Sequence, residues 1–285
     1  MKLLLVHGRD QQGKNPDDLK EEWLDALRHG LSKAGLSLPA GTTIEMPFYG
    51  DELARIVAQL NAPLALGVNP KGGSPDPDDL RGELILELAA RGGVTDADVR
   101  RELGGVPAEK GPQNWEWVQA ALRALDRVPG VNSAFIDLVT RDVYVYLENN
   151  AARREVDGVV RDAIDDHPCV VIGHSLGSVV AYNVLSRLDA PMVPRLVTVG
   201  SPLGINGIKR KLDKPLRNPP GVAHWFNAFD DRDVVALAPL DAKNFDITPA
   251  IENKSDVDNF TDNRHGIAGY LADPVVAGKI VELLR

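Results

Sequence analysis

Short apolar runs alternate with longer amphipathic segments along this chain of 285 residues. A short run of apolar or β-branched residues predicts a buried strand, whereas apolar residues three and four positions apart predict a helix. The predicted strands lie at 2–6, 42–48, 169–172, 195–199 and 222–229. Helical patterns separate most of these runs, and the chain is long enough for one large domain of the α/β class.

The helical patterns have recognisable ends. The first helix follows Asp17 and Asp18, has leucines and Trp23 on one face, and stops at Gly35. Asp273 predicts the cap of a terminal helix. Further helices are predicted at 80–91, 96–103, 113–127, 133–147 and 151–166, and a turn-rich loop at 72–79. Four aromatic residues of these helices are candidates either for packing or for lining a pocket, namely Trp115, Trp117, Tyr144 and Tyr146.

The stretch 169–178 has the most specific pattern. Its apolar residues run directly into Gly-His-Ser-Leu-Gly at 173–177, and an apolar helical pattern follows. This order predicts a strand that turns sharply into a helix, with Ser175 at the turn, near a helix N-terminus that favours negative charge. A side chain at Gly173 or Gly177 would collide across so tight a turn. The alternative is a structural role, in which the glycines only permit the crossing and Ser175 caps the helix.

Composition and charge exclude several functional classes. Hydrophobic residues make up 44% of the chain and charged residues 26%, as in ordinary soluble domains. No apolar run approaches the roughly 20 residues of a membrane helix, and 2–6 is too short for a signal peptide, so a cytoplasmic protein without stable membrane insertion is expected. The net charge of −9 argues against nucleic-acid binding. One cysteine, Cys169, excludes an internal disulfide, and no metal-ligand spacing occurs.

With a strand before it and a helix after it, the motif at 173–177 resembles the nucleophile elbow of the α/β-hydrolases. The resemblance extends over about residues 1–50 and 165–285 and implies that Ser175 is the catalytic nucleophile. The first strand ends in His-Gly-Arg, which resembles the oxyanion loop of that superfamily. The resemblance implies that the backbone N–H groups of Arg9 and Leu176 bind the oxyanion, and that Gly8 lets the backbone approach the substrate.

The same resemblance implies an acid and a base after the nucleophile. The strand 222–229 runs into three aspartates, and Asp233 fits the family pattern best because it directly precedes an apolar pair. Asp230 is the second candidate for the acid, and a purely structural carboxylate is the third interpretation. Of the six histidines only His265 follows Asp233, so the family order of serine, acid and histidine selects His265 as the base.

The fold that the resemblance implies is a reduced α/β-hydrolase fold, a mainly parallel sheet flanked by helices. The sheet is expected to be reduced because the chain opens directly on the His-Gly strand. We expect one domain, 1–285, with a helical insertion at 51–150 that is a candidate lid or cap.

The function that the resemblance implies is a serine hydrolase, which cleaves a small carboxylic or lipid-like ester through an acyl-enzyme on Ser175. Neither a metal ion nor an organic cofactor is needed for that chemistry. A thioesterase or peptidase could use the same three residues. A hydrolase-fold binding or signalling protein with little turnover is the alternative from a different class. The sequence pattern leaves the substrate and the oligomeric state open.

Overall fold

The longest apolar runs of the sequence form the centre of one sheet. The computed structural model describes residues 1–65 and 80–284, with the side chains of all of these except 61–65, so the loop predicted at 72–79 lies outside the described residues. The strands are β1 (Lys2–Val6), β2 (Thr43–Glu45), β3 (Cys169–His174), β4 (Val193–Val199), β5 (Val222–Ala228) and β6 (Glu252–Lys254). Their order is β2-β1-β3-β4-β5-β6, and each neighbouring pair is parallel, which confirms the predicted mainly parallel sheet.

Helices cover both faces of this sheet. They are α1 (Pro16–Lys33), α2 (Gly50–Ala65), α3 (Leu80–Arg91), α4 (Asp96–Glu102), α5 (Trp115–Leu125), α6 (Ser133–Glu148), α7 (Asn150–Asp162), α8 (Leu176–Arg187), α9 (Asn206–Lys211), α10 (Ile267–Leu271) and α11 (Pro274–Val281). The predicted helices between β2 and β3 are present as α3 to α7, and the sequence pattern did not predict α2, α9 or α10. That 51–150 act as a lid stays a prediction. No helix of the described residues is long and apolar enough to cross a membrane.

Alternate side chains of β1 pack into two hydrophobic layers. Leu3 and Leu5 lie in the layer formed with α1, α10 and α11, whereas Leu4 and Val6 lie in the layer formed with α2 to α9. Because both faces are covered, the central strands consist almost wholly of apolar residues. The buried polar side chains of these strands are paired, as where Thr198 of β4 donates to Asn227 of β5 at 2.9 Å. The loops that leave the carboxyl ends of β1, β3 and β5 meet at one edge.

Capping explains where two of the flanking helices begin. The side chain of Asn15 accepts hydrogen bonds from the backbone of Asp17 and Asp18, so α1 starts at Pro16, slightly earlier than the aspartates suggested. Asp273 caps α11 in the predicted manner, since its carboxylate accepts from the backbone of Val275 and Val276. These caps orient the two helices that cover the face of the sheet behind the serine turn.

Candidate active site

Ser175 lies in a strained turn between β3 and α8. Its φ of 53° and ψ of −128° are sparsely populated for a residue with a side chain, and such strain is frequent at functional sites. A Cβ at Gly173 would lie 2.7 Å from the Cα of Ser178, and a Cβ at Gly177 would overlap the carbonyl oxygens at the end of β1. Glycine is therefore required at both positions by close packing of the backbone.

The structure brings together the three residues that the sequence pattern selected as nucleophile, base and acid. The Oγ of Ser175 lies 2.8 Å from the Nε2 of His265, and the Nδ1 of His265 lies 2.7 Å from the Oδ2 of Asp233. All three residues are at most 3% exposed. An ionised carboxylate only accepts hydrogen bonds, so Nδ1 of the neutral imidazole carries the proton and Nε2 is free to accept the serine hydroxyl.

Asp233 has further donors that the sequence pattern did not indicate. The hydroxyl of Tyr270 donates to the same Oδ2 at 2.5 Å, and the backbone N–H of Val235 donates to Oδ1 at 3.0 Å. Burial and the neighbouring carboxylate raise the pKa of Tyr270 well above its usual value, so its hydroxyl keeps the proton that it donates. Gly200 leaves room beside this pair, because a Cβ there would lie 3.2 Å from the ring of His265.

Asp230, the second candidate for the acid, has a different set of partners. Its carboxylate is fully buried and accepts hydrogen bonds from the backbone of Asn259 at 2.9 Å and of Arg232 at 2.8 Å. Asn259 begins the loop that leads to His265, and its own side chain donates to the carbonyl of Gly266 at 2.9 Å. Asp230 therefore holds the loop that presents the histidine, whereas Asp233 contacts the histidine itself.

Two histidines, the buried His7 and the partly buried His174, hold the backbone around Ser175. The Nε2 of His174 donates to the carbonyl of His265 at 2.7 Å, so it supports the histidine loop from behind the turn. The Nδ1 of His7 donates to the carbonyl of Gly8 at 2.7 Å, while its Nε2 accepts from the backbone of Tyr49 at 3.1 Å. Burial lowers the pKa of His7 to about 4 and that of His174 to about 3, so both are neutral near pH 7.

This burial predicts a loss of stability in mild acid. Both pKa values are lower in the folded protein than the usual value near 6.5 of an unfolded histidine, so the unfolded chain binds more protons as the pH falls from 6.5 toward 4. The stabilisation is complete above pH 6.5, and we expect each histidine to account for a loss of about 3 kcal/mol in unfolding free energy by pH 4. Urea denaturation across this pH range measures the loss.

A histidine substitution separates this effect from general acid sensitivity. His174→Gln should be less stable at pH 7 and should show a shallower decline between pH 6.5 and pH 4. His167→Gln changes a side chain that is 83% exposed and should follow the wild-type curve. A His174→Gln curve with the wild-type slope would contradict the assignment.

The loop after β1 lies directly against the serine turn. A Cβ at Gly8 would lie 3.1 Å from the Cβ of Ser175, so a side chain there would push the serine turn outward by a few tenths of an ångström. Within the described part of the chain, the backbone N–H groups of Arg9 and Leu176 donate to no other group. Unpaired backbone donors are rare in folded proteins, and Leu176 is only 1% exposed. Two free donors therefore flank Ser175, one on each side of the turn.

Helix α6 covers the other side of the site. The ring of Phe135 lies 5.5 Å from the ring of His265, and the carboxylate of Asp142 accepts from the Nε of Arg9 at 2.8 Å. The sequence indicates neither residue, because no local pattern links α6 to the turn. Trp117 and Tyr146 are buried in the helical core, as the packing interpretation predicts.

A cavity of about 310 Å³ opens beside the loop after β1. It is lined by Gly8, Arg9, Asp10, Gln12, Gly50, Leu53, Ala54, Val57, Ala58, Arg141 and Asp142. None of the four aromatic residues considered for a pocket is part of this lining. Among the described residues, no group of histidine, cysteine and acidic side chains could hold a metal ion.

The architecture is compatible with an α/β-hydrolase-like fold. No protein-family model matches the chain, and neither does a curated protein or a solved structure.

Proposed function

We propose that this protein is a serine hydrolase of the α/β-hydrolase type that cleaves a carboxylic or lipid-like ester. The observation that supports the proposal is the hydrogen-bonded series from Ser175 through His265 to Asp233, starting at a strained turn between a strand and a helix. A serine hydroxyl is a weak nucleophile at neutral pH, and a base within hydrogen-bond distance activates it. Here His265 lies within hydrogen-bond distance of Ser175, and the buried carboxylate of Asp233 orients its ring.

In the proposed reaction, His265 removes the proton from Ser175 as the Oγ attacks the ester carbonyl. Asp233 holds the imidazole in the tautomer that accepts this proton and stabilises the imidazolium that forms. His265 then donates the proton to the leaving alcohol, which leaves the acyl group on Ser175. A water molecule activated by the same histidine releases the acid. Neither a metal ion nor an organic cofactor takes part in any of these steps.

The tetrahedral intermediate has a negative oxygen that requires donors. The free backbone N–H groups of Leu176 and Arg9 support an oxyanion hole at this place, with each donor lowering the barrier by roughly 3 kcal/mol. His7 contributes by holding Gly8, and therefore the loop that bears Arg9. Gly8 lets this loop approach the reacting carbonyl.

Two alternatives remain for the experiment to separate. A thioesterase or peptidase would use the same three residues on a different carbonyl compound. A binding or signalling protein of this fold would have little turnover, but it would not require an oriented nucleophile, base and acid together with two free backbone donors. The site therefore favours an enzyme, and we place esters first among its substrates.

A fluorophosphonate probe tests for an activated serine without knowledge of the substrate. We expect wild-type protein to be labelled at Ser175, because the probe reacts with a serine hydroxyl that a neighbouring base has activated. His265→Ala should slow the labelling by about 10²- to 10⁴-fold, the usual contribution of a general base. Peptide mass spectrometry identifies the labelled residue, and the time course gives the rate.

His224→Ala is the matched control, since it removes an exposed histidine on β5 and should be labelled at the wild-type rate. If folded wild-type protein is not labelled, or if the label is found on another serine, the proposal of a serine hydrolase is wrong. The binding-protein alternative would then be the better explanation of the fold.

A further inference from the structure

The cavity beside the loop after β1 borders the proposed oxyanion loop, whose Gly8 packs directly against Ser175. Its lining includes Gly8 and Arg9 of the proposed oxyanion loop, but it includes neither Ser175 nor His265. In the proposed reaction, His265 delivers a proton to the leaving alcohol, so the alcohol must lie near the histidine. The acyl part of the substrate then extends past the oxyanion loop into the cavity.

One wall of the cavity is apolar. It is formed by Leu53, Ala54, Val57 and Ala58, which lie on one face of α2. A volume of about 310 Å³ is at the lower end of the range for small-molecule sites. The cavity therefore fits a short hydrocarbon chain rather than a long fatty acyl chain.

The facing wall has two guanidinium groups that share one buried carboxylate. Asp142 accepts from the Nε of Arg9 at 2.8 Å and from the Nε and Nη2 of Arg141 at 3.1 Å each. Each guanidinium has five N–H donors, so both arginines keep donors for a ligand. The oxygens of Asp142 are already occupied by these contacts.

The two carboxylates on this wall compensate the positive charge of the arginines to different degrees. Asp142 is 8% exposed and compensates one of the two arginines. The other carboxylate, Asp10, is 61% exposed and lies 3.7 Å from the Nη2 of Arg9, so water screens most of its effect. Arg141, whose side chain is 28% exposed, is therefore a positive group without full compensation on the polar wall of the cavity.

We infer that this cavity binds the acyl chain of an ester that ends in a second carboxylate, and that Arg141 binds that carboxylate. This inference rests on the proposed function and names its substrate class, a half-ester of a short dicarboxylic acid. The planar guanidinium matches a carboxylate in geometry, and the partly buried position strengthens the interaction. The apolar face of α2 accommodates the methylene groups between the two carboxyl ends.

Two esters that differ only at the end of the acyl chain test the inference. Mono-p-nitrophenyl adipate has a carboxylate where p-nitrophenyl hexanoate has a methyl group. We expect wild-type protein to show a kcat/KM for the adipate at least about tenfold above that for the hexanoate, with the ratio decreasing as salt is added. Arg141→Gln should reduce this ratio to one or below. Arg154→Gln, at an exposed arginine of α7 outside the cavity, should keep the wild-type ratio.

A second variant tests the position of the chain if Arg141→Gln does not fold. Ala58→Trp changes an exposed residue at the rim of the cavity and should lower kcat/KM for both six-carbon esters relative to p-nitrophenyl acetate. Hydrolysis of the hexanoate without preference for the adipate, or a preference that survives Arg141→Gln, overturns the inference and leaves the proposed function in place. Absence of both hydrolysis and labelling at Ser175 overturns both.

Discussion

Replacement of Ser175 by alanine is expected to lower kcat for ester hydrolysis by at least about 10⁴-fold. The substitution removes the oxygen that attacks the carbonyl, so the acyl-enzyme cannot form. What remains is the weaker catalysis that comes from substrate binding and from the two backbone donors. Hydrolysis of p-nitrophenyl esters by purified wild type and variant, followed by absorbance, measures the ratio.

The same substitution should leave the fold in place. Alanine occupies the positive φ of the turn no better and no worse than serine, and only one hydrogen bond, to His265, is lost. We expect a change of at most about 2 kcal/mol in the free energy of unfolding, as for a buried group that loses its partner. Ser186→Ala near the far end of α8 is the matched control and should keep wild-type turnover. A Ser175→Ala variant within tenfold of wild type would contradict the assignment of the nucleophile.

The centre of the fold could be predicted from the sequence because its signals are local. The strand, the turn and the helix around Ser175 occupy one continuous stretch. The strand requires apolar residues, the turn requires glycines, and the helix requires apolar residues at helical spacing. The neighbouring strands are buried on both faces, so they consist of apolar runs that any window of the sequence detects. The parallel order of the sheet agrees with what the family resemblance implies.

The edges of the sheet were harder to predict because they have weaker signals. The strand predicted at 42–48 ends at Glu45, and Pro47, which lacks a backbone N–H, lies beyond the paired residues. The strand β6 pairs only with β5. Its sequence, Glu-Asn-Lys, contains no apolar residue. Edge strands are half-exposed, and their pairing depends on the neighbouring strand more than on their own residues.

The surroundings of the site depend on contacts between distant parts of the chain. Tyr270 lies 37 positions from its partner Asp233, and Asp142 lies 133 positions from its partner Arg9. A tyrosine in an apolar helix and an aspartate on an amphipathic helix both look ordinary in sequence. The resemblance to a family identified candidates for the reacting groups, but only the fold shows which side chains support them.

Replacement of Asp233 by asparagine is expected to lower kcat by about 10³- to 10⁴-fold. The amide is uncharged and does not stabilise the imidazolium that forms when His265 accepts the serine proton. Its NH₂ group can also donate to Nδ1, which would move the imidazole proton to Nε2 and remove the acceptor that Ser175 needs. Tyr270 does not compensate, since its hydroxyl donates to the same oxygen and adds no negative charge.

Asp230→Asn makes the same chemical change three positions away, and it therefore distinguishes the roles of the two aspartates. Both carboxylates are buried, but Asp230 contacts the histidine loop through Asn259, whereas Asp233 contacts the imidazole. Asp230→Asn should therefore lower the Tm and reduce kcat by less than tenfold, because the loop still presents His265. Asp233→Asn should instead have its main effect on kcat, with a larger loss in kcat than Asp230→Asn. If Asp230→Asn instead produced the larger loss in kcat at full folding, the acid would be Asp230, and the hydrogen bond from His265 to Asp233 would be structural.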